Sequence, residues 1–149
     1  LVKGIPITTY CDQERLSMND QDFWSRLASF VSRGAVVVDR RKGSRHPRIP
    51  GLIYPLDYGY LKGLRSGDGD GVDVWIGSLK RRVITGVVCT VDVRKRDAEI
   101  KILLGCTRAE QRRILSLHNW GDQRAVLVRP EAARKTKRGR DGASQPTPP

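Results

Sequence analysis

An α+β domain is predicted for this 149-residue chain by three observations. One stretch shows helical spacing of apolar residues and a second opens on a capping box, and short β-branched or apolar runs of strand length lie between and after them. Two of these runs flank a tight basic turn and read as a hairpin. The length suits one domain with one sizeable core. With 38% hydrophobic but only 6% aromatic residues, that core is expected to be aliphatic.

The elements follow in order. Asn19 is placed to cap a first helix, with Asp20 and Asp22 in its first turn, where negative charge is favoured. Phe23, Leu27, Phe30 and Val31 make its apolar face, and Gly34 is a stop signal. Ala35–Val38 reads as a buried strand. Residues 39–51 are a basic loop, and Leu52–Tyr60 is apolar and aromatic but broken by Pro55. Residues 63–71 hold four glycines and read as a loop. Val72–Ile76 is a short strand containing Asp73. Val83–Val93 and Ala98–Leu104 form the hairpin around Arg94-Lys95-Arg96. Thr107-Arg108-Ala109-Glu110 is a capping box opening a helix to about His118, and Arg124–Arg129 is a last strand. Three segments are expected: 1–17, a disordered or misassigned extension before the single methionine, Met18; 18–130, the domain; and 131–149, a disordered basic and Pro-rich tail.

Composition narrows the function. The apolar runs are too short to cross a bilayer, and no secretory pattern is visible, so the cytoplasm is the default setting. Cys11, Cys89 and Cys106 are odd in number and form no C-x-x-C pair, which argues against a disulfide framework or zinc knuckle. Cys89, in an apolar run, reads as a buried thiol. Only His46 and His118 are present, so a metal would be held by oxygen. The net charge is +12, and between Met18 and Pro130 21 Lys and Arg face 12 Asp and Glu, an excess of nine. The balance favours polyanionic partners, although most of these side chains are ordinary solvated surface. Nucleic acid would be met only through the basic surface or tail.

The strongest chemical signal is Asp68-Gly69-Asp70-Gly71-Val72-Asp73. Three nearby carboxylates repel one another, and bound cations offset that cost. A solvated turn accounts for the Asp-Gly repeat alone. Asp73, however, stands inside the apolar run Val72-Asp73-Val74-Trp75-Ile76 and needs a partner or a metal. An EF-hand register from Asp68 fails, because its fifth, sixth and twelfth positions are Val72, Asp73 and Leu79. Asp92 and Asp97 flank the hairpin turn, which can bring them close; taken alone they read as ordinary turn-flanking charges neutralised by Arg94, Lys95 and Arg96. Arg40-Arg41-Lys42-Gly43-Ser44-Arg45-His46-Pro47-Arg48 offers guanidinium forks for phosphate oxygens. Tyr54-Pro55-Leu56-Asp57-Tyr58-Gly59-Tyr60 offers hydroxyls, or simply core rings.

In order and spacing these features resemble the soluble family I inorganic pyrophosphatases, over roughly Val36 to Asn119. Tyr54–Tyr60 is similar to that family's Y-P-x-N-Y-G-[FY] segment. Asp68–Val74 is similar to its D-x-D-P-[LV]-D-[LV] signature, with Gly71 at the usual proline. Val36–Arg45 is similar to its first strand and loop, with Asp39 at a glutamate. Gly86 through Asp92 and Asp97 follows its G-V-x-x-x-x-D-x-x-x-x-D pattern. The resemblance implies a small, highly twisted OB-like five-stranded β-barrel flanked by two or three helices, self-associating, that hydrolyses pyrophosphate with several Mg²⁺ ions, Mn²⁺ being a possible substitute. It implies Asp68, Asp73, Asp92 and Asp97 as metal ligands, Asp73 bridging two ions. It further implies Asp70 as general base, Tyr58 beside the nucleophile, and Asp39 acting through metal-bound water. Lys42, Arg45, Arg48 and Tyr54 would face the substrate. The departures lie on the substrate side. Glu99 replaces a lysine, Val93-Arg94-Lys95-Arg96 replaces acidic residues, and His118-Asn119-Trp120 replaces a Tyr-Lys pair. A hairpin before Tyr54 is expected to be missing. Another small phosphoanhydride as substrate, or a non-catalytic relative that binds metal or polyanion, is the alternative.

Overall fold

The computed structural model of the chain describes residues 13–131. Expectations about residues 1–12, Cys11 included, and about the tail from residue 132 fall outside them. Two helices and six strands follow in the order α1 (Gln13–Val31), β1 (Ala35–Arg40), β2 (Asp57–Lys62), β3 (Val72–Ile76), β4 (Ile84–Asp92), β5 (Asp97–Leu104), α2 (Arg108–Leu117) and β6 (Gln123–Val128). The α+β expectation holds. The first helix starts well before the expected Asn19 cap. Gln13, Glu14, Arg15 and Leu16 are good helix formers, and neither glycine nor proline separates them from Phe23.

The six strands form one mixed sheet in the order β1-β2-β3-β5-β4-β6, with β3 and β5 parallel and the other neighbours antiparallel. The expected five-stranded barrel is therefore corrected. There is a sixth strand, and among the described residues no pairing joins β1 to β6 to close the sheet. The expected hairpin of β4 and β5 is present, from Ile84↔Leu104 to Asp92↔Asp97. Arg96 adopts a left-handed φ of 59° in its turn. The loop before Tyr54 is another correction. Tyr54 donates its N–H to Ser44 O at 3.0 Å, His46 donates to Leu52 O at 2.9 Å, and Arg45 bridges Ile53. A short hairpin thus survives where none was expected, because residues 47–51 carry two prolines and Gly51, whose φ of 82° suits a tight turn.

Strand alternation divides the core in two. On one face Leu61, Val72, Val74, Ile76, Val87, Ile102 and Leu104 pack with Leu27 of α1. On the other, Trp75, Val88 and Leu103 pack with Tyr54, Leu56, Cys106 and Ile114 of α2. Each such side chain contributes about 1.5–3 kcal/mol through burial. Cys106, not Cys89, is the fully buried thiol; burial pushes its pKa up to about 12. The capping box of α2 is formed: Thr107 Oγ1 accepts from Glu110 N at 3.2 Å, and Glu110 Oε2 accepts from Thr107 N at 2.7 Å. Glu110 also accepts from Ser78 N, which ties α2 to the end of β3. Its carboxyl pKa lies below the ordinary value, because these donors outweigh burial.

Close approach requires glycine at several positions, Gly59 and Gly71 among them. A Cβ on Gly59 of β2 would stand 1.9 Å from Val37 O of β1. One on Gly71 would stand 2.8 Å from the Tyr60 ring. Tyr60 thus takes up the space beside Gly71, where the resembling family carries proline.

Candidate functional site

The α2 face of the sheet changes character toward the hairpin turn. Trp75, Val88 and Leu103 are apolar and buried. One step further along the same face, period-two alternation and register bring Asp73 of β3, Thr90 of β4 and Lys101 and Glu99 of β5 together, with Asp92↔Asp97 as the last pair. Tyr58, opposite Trp75 in β2, completes the group.

Lys101 is the centre of this cluster. Its side chain is only 5% exposed. Its Nζ lies 2.6 Å from Asp73 Oδ2, 2.6 Å from Glu99 Oε2 and 3.3 Å from Tyr58 Oη. Tyr58 Oη donates to Asp73 Oδ2 at 2.5 Å. Burial alone would lower the Lys101 pKa, but the Asp73 and Glu99 carboxylates outweigh it and hold the ammonium above its ordinary value. Burial and the Asp73 charge keep the Tyr58 hydroxyl protonated far above the usual phenol range.

A cavity of about 860 Å³ opens over this cluster. Arg40, Arg48, Arg94, Lys95 and Lys101 supply cations to its wall, and Asp39, Asp92, Glu99 and Asp122 supply carboxylates. A row of rings lies along it: His46 stacks on Tyr54 at 5.9 Å, Tyr54 on Tyr58 at 5.8 Å, and Tyr58 meets Trp75 at 4.6 Å. His46 has a lowered pKa, from burial first and then from Arg48, Arg40 and Lys95, which reports the positive field at this rim.

The candidate residues therefore divide. Asp39, Arg48, Tyr54, Tyr58 and Asp92 line the cavity, and Asp73 lies directly behind Tyr58. Asp68, Asp70 and Asp97 are exposed and outside its lining, as are Lys42 and Arg45. Asp68 accepts from the Ser66 hydroxyl and from Asp70 N, and these bonds hold its carboxyl below the usual range. These bonds make the Asp68–Asp70 segment an Asx-type turn. Lys42 donates its backbone N–H to Asp57 at 2.8 Å. Lys101, Trp75 and His118 were not among the expected site residues. The signal for Lys101 was its position two residues after Glu99, on the same strand face.

Asp73 does not fit a bridging role as it stands, because an ammonium already occupies its cation side. Among the described residues no three His, Cys, Asp or Glu side chains converge on one ion position. Of the candidate carboxylates, Asp39 and Asp92 line the cavity, and Mg²⁺ favours one or two carboxylates plus substrate oxygens. Among the described residues no helix is long and apolar enough to cross a membrane.

His118 closes the inner end of the cavity. Trp75 Nε1 can only donate, so His118 Nε2 accepts from it at 3.1 Å, and Nδ1–H then donates to Gln123 Oε1 at 3.0 Å. This network assigns the neutral tautomer. Burial, against the opposing Gln123 bond, takes the His118 pKa down to about 4 from 6.5. Below pH 6.5 the unfolded chain takes up this proton and the folded chain does not, so stability falls as pH drops from 6.5 toward 4. The effect is about 3 kcal/mol. Urea unfolding at pH 7 and pH 4 should show wild type losing that much more than His118→Gln. Parallel losses would refute the neutral buried imidazole.

No family model matches this chain, and no curated protein does. Solved structures do. An inorganic pyrophosphatase from Neisseria gonorrhoeae superposes with a TM-score of 0.51 at 16% identity, over 69% of this chain and 87% of that one. One from Helicobacter pylori gives 0.48 at 15% identity, over 63% and 81%. The chain thus shares the fold of the Neisseria gonorrhoeae pyrophosphatase.

Proposed function

We propose that this chain hydrolyses a small phosphoanhydride, with inorganic pyrophosphate as its substrate, in the presence of Mg²⁺. The observation that carries the reading is the cavity wall, in which five Arg and Lys side chains stand beside Asp39, Asp92 and the Tyr58 hydroxyl. Arg48, Arg94 and Lys95, all exposed, take the phosphate oxygens; guanidinium forks suit them. Asp92 would hold Mg²⁺, with Asp39 acting through its bound water; the ion would screen phosphate charge and lower the pKa of water. Asp73 fixes the Tyr58 hydroxyl, and Tyr54 stacks behind it. Asp70 is the proposed base, with Asp68 and Asp97 as proposed further ligands; Lys42 and Arg45 add positive field from the loop after β1. Self-association and a cytoplasmic setting belong to the same reading.

Phosphate release from pyrophosphate, with and without Mg²⁺ or Mn²⁺, tests it. Wild type is expected to turn over only with metal, and Asp70→Asn to lose about a hundredfold or more. No turnover by wild type would overturn the hydrolase reading, and full activity in Asp70→Asn would overturn the base assignment. The Lys101–Asp73 pair specifically favours a second reading, a non-catalytic relative that binds polyanions. Salt-sensitive pyrophosphate or nucleic-acid binding without turnover would establish that reading instead.

A further inference from the structure

We propose that the Lys101 ammonium is a built-in cation standing where a metal would otherwise sit between Asp73 and Glu99, so that this site works with fewer divalent ions, bound only by carboxylates left free around the cavity. In its functional half this rests on the hydrolase reading; in its chemical half it rests on geometry alone.

The geometry is that of an occupied cation site. An ammonium has three N–H donors and no acceptor. All three of those of Lys101 are spent, on Asp73 Oδ2, Glu99 Oε2 and Tyr58 Oη. None is left to grip a substrate, so Lys101 acts as an internal counter-ion and positioning residue. It holds Asp73, and through Asp73 it holds the Tyr58 hydroxyl at the cavity wall. The register explains how it gets there. β5 presents Asp97, Glu99, Lys101 and Leu103 on one face, and β3, running parallel beside it, presents Asp73 and Trp75 on that same face. The charge on β5 next to Asp73 is therefore positive, from a side chain nearly removed from solvent. Such a lysine is stable only while its carboxylates remain.

The two carboxylates alone would make a cation site. Oxygens each 2.6 Å from one nitrogen are at most about 5.2 Å apart, twice 2.6. A divalent ion holds its oxygens at about 2.0–2.6 Å. Removing the ammonium should therefore open the position to metal.

The test is Mn²⁺ binding to the full chain without substrate, read by electron paramagnetic resonance and titration calorimetry. Lys101→Met is expected to bind one Mn²⁺ per chain more than wild type. Its melting temperature should rise with Mn²⁺ by more than that of wild type. The double variant Asp73→Asn/Lys101→Met should return to the wild-type stoichiometry. Equal stoichiometry in wild type and a folded Lys101→Met would overturn the proposal. Should Lys101→Met fail to fold, the double variant decides alone. In it both charges are gone; unchanged Mn²⁺ stoichiometry supports the proposal, and a loss of one ion shows that Asp73 held metal in wild type and overturns it. Phosphate release takes no part in these readouts, so an inactive wild type would overturn the hydrolase reading and leave the cation assignment standing.

Discussion

Asp73→Asn should lower the unfolding free energy by about 3 kcal/mol, at the low end of the 3–5 kcal/mol expected when one partner of a buried ion pair is removed. The low end applies because Glu99 stays beside the ammonium. Glu99 is 38% exposed, however, and only partly replaces a carboxylate that is 29% exposed and 2.6 Å away. Tyr58 also exchanges a charged acceptor for a neutral amide oxygen. Urea unfolding followed by far-ultraviolet circular dichroism measures the loss. The control is the double variant Asp73→Asn/Lys101→Met. With both charges gone it should recover part of the stability, because no uncompensated ammonium is left in a low-dielectric site. A loss within 0.5 kcal/mol, the range of an ordinary surface change, would mean that Lys101 reaches solvent in the native state. In that event the cluster would not be a fixed element of the site.

The same cluster marks the boundary of what the sequence makes legible. Asp73 is conspicuous because a carboxylate in Val72-Asp73-Val74-Trp75-Ile76 demands a partner, and the structure supplies one. The sequence does not say which partner. Lys101 lies 28 residues away and meets Asp73 only because β3 and β5 pair in parallel across a non-local contact. Local signals fared better. The β4–β5 hairpin and the Thr107–Glu110 capping box are each set by residues close in sequence, and both are present. Barrel closure is a long-range property of β1 and β6, and no local pattern in Ala35–Arg40 or Gln123–Val128 decides it. The glutamate at position 99 looked like the loss of a site cation. In space the positive charge is kept on the same strand face, two residues further along β5 at Lys101.

Trp75→Ala is expected to have the other large effect, a loss of about 3–5 kcal/mol, the usual cost of truncating a large core ring. Trp75 is 1% exposed and lies between Tyr58, Tyr54 and His118, so three rings lose a packing partner together. Trp75→Phe separates the contributions. Phenylalanine keeps much of the ring volume but has no N–H, so His118 Nε2 loses its donor at 3.1 Å. That loss alone should cost about 1–3 kcal/mol. It should also alter the pH response. With Nε2 no longer engaged, the imidazole takes a proton more readily, its folded pKa moves up toward 6.5, and the stability lost between pH 6.5 and pH 4 shrinks. Trp24 and Trp120 remain, but circular dichroism keeps the readout the same for every variant. If Trp75→Phe keeps the wild-type pH dependence, burial alone sets the His118 pKa and the tryptophan bond is incidental. If it flattens the dependence, the indole fixes the tautomer of the imidazole at the inner end of the cavity, and packing and proton placement at this site are controlled by one residue.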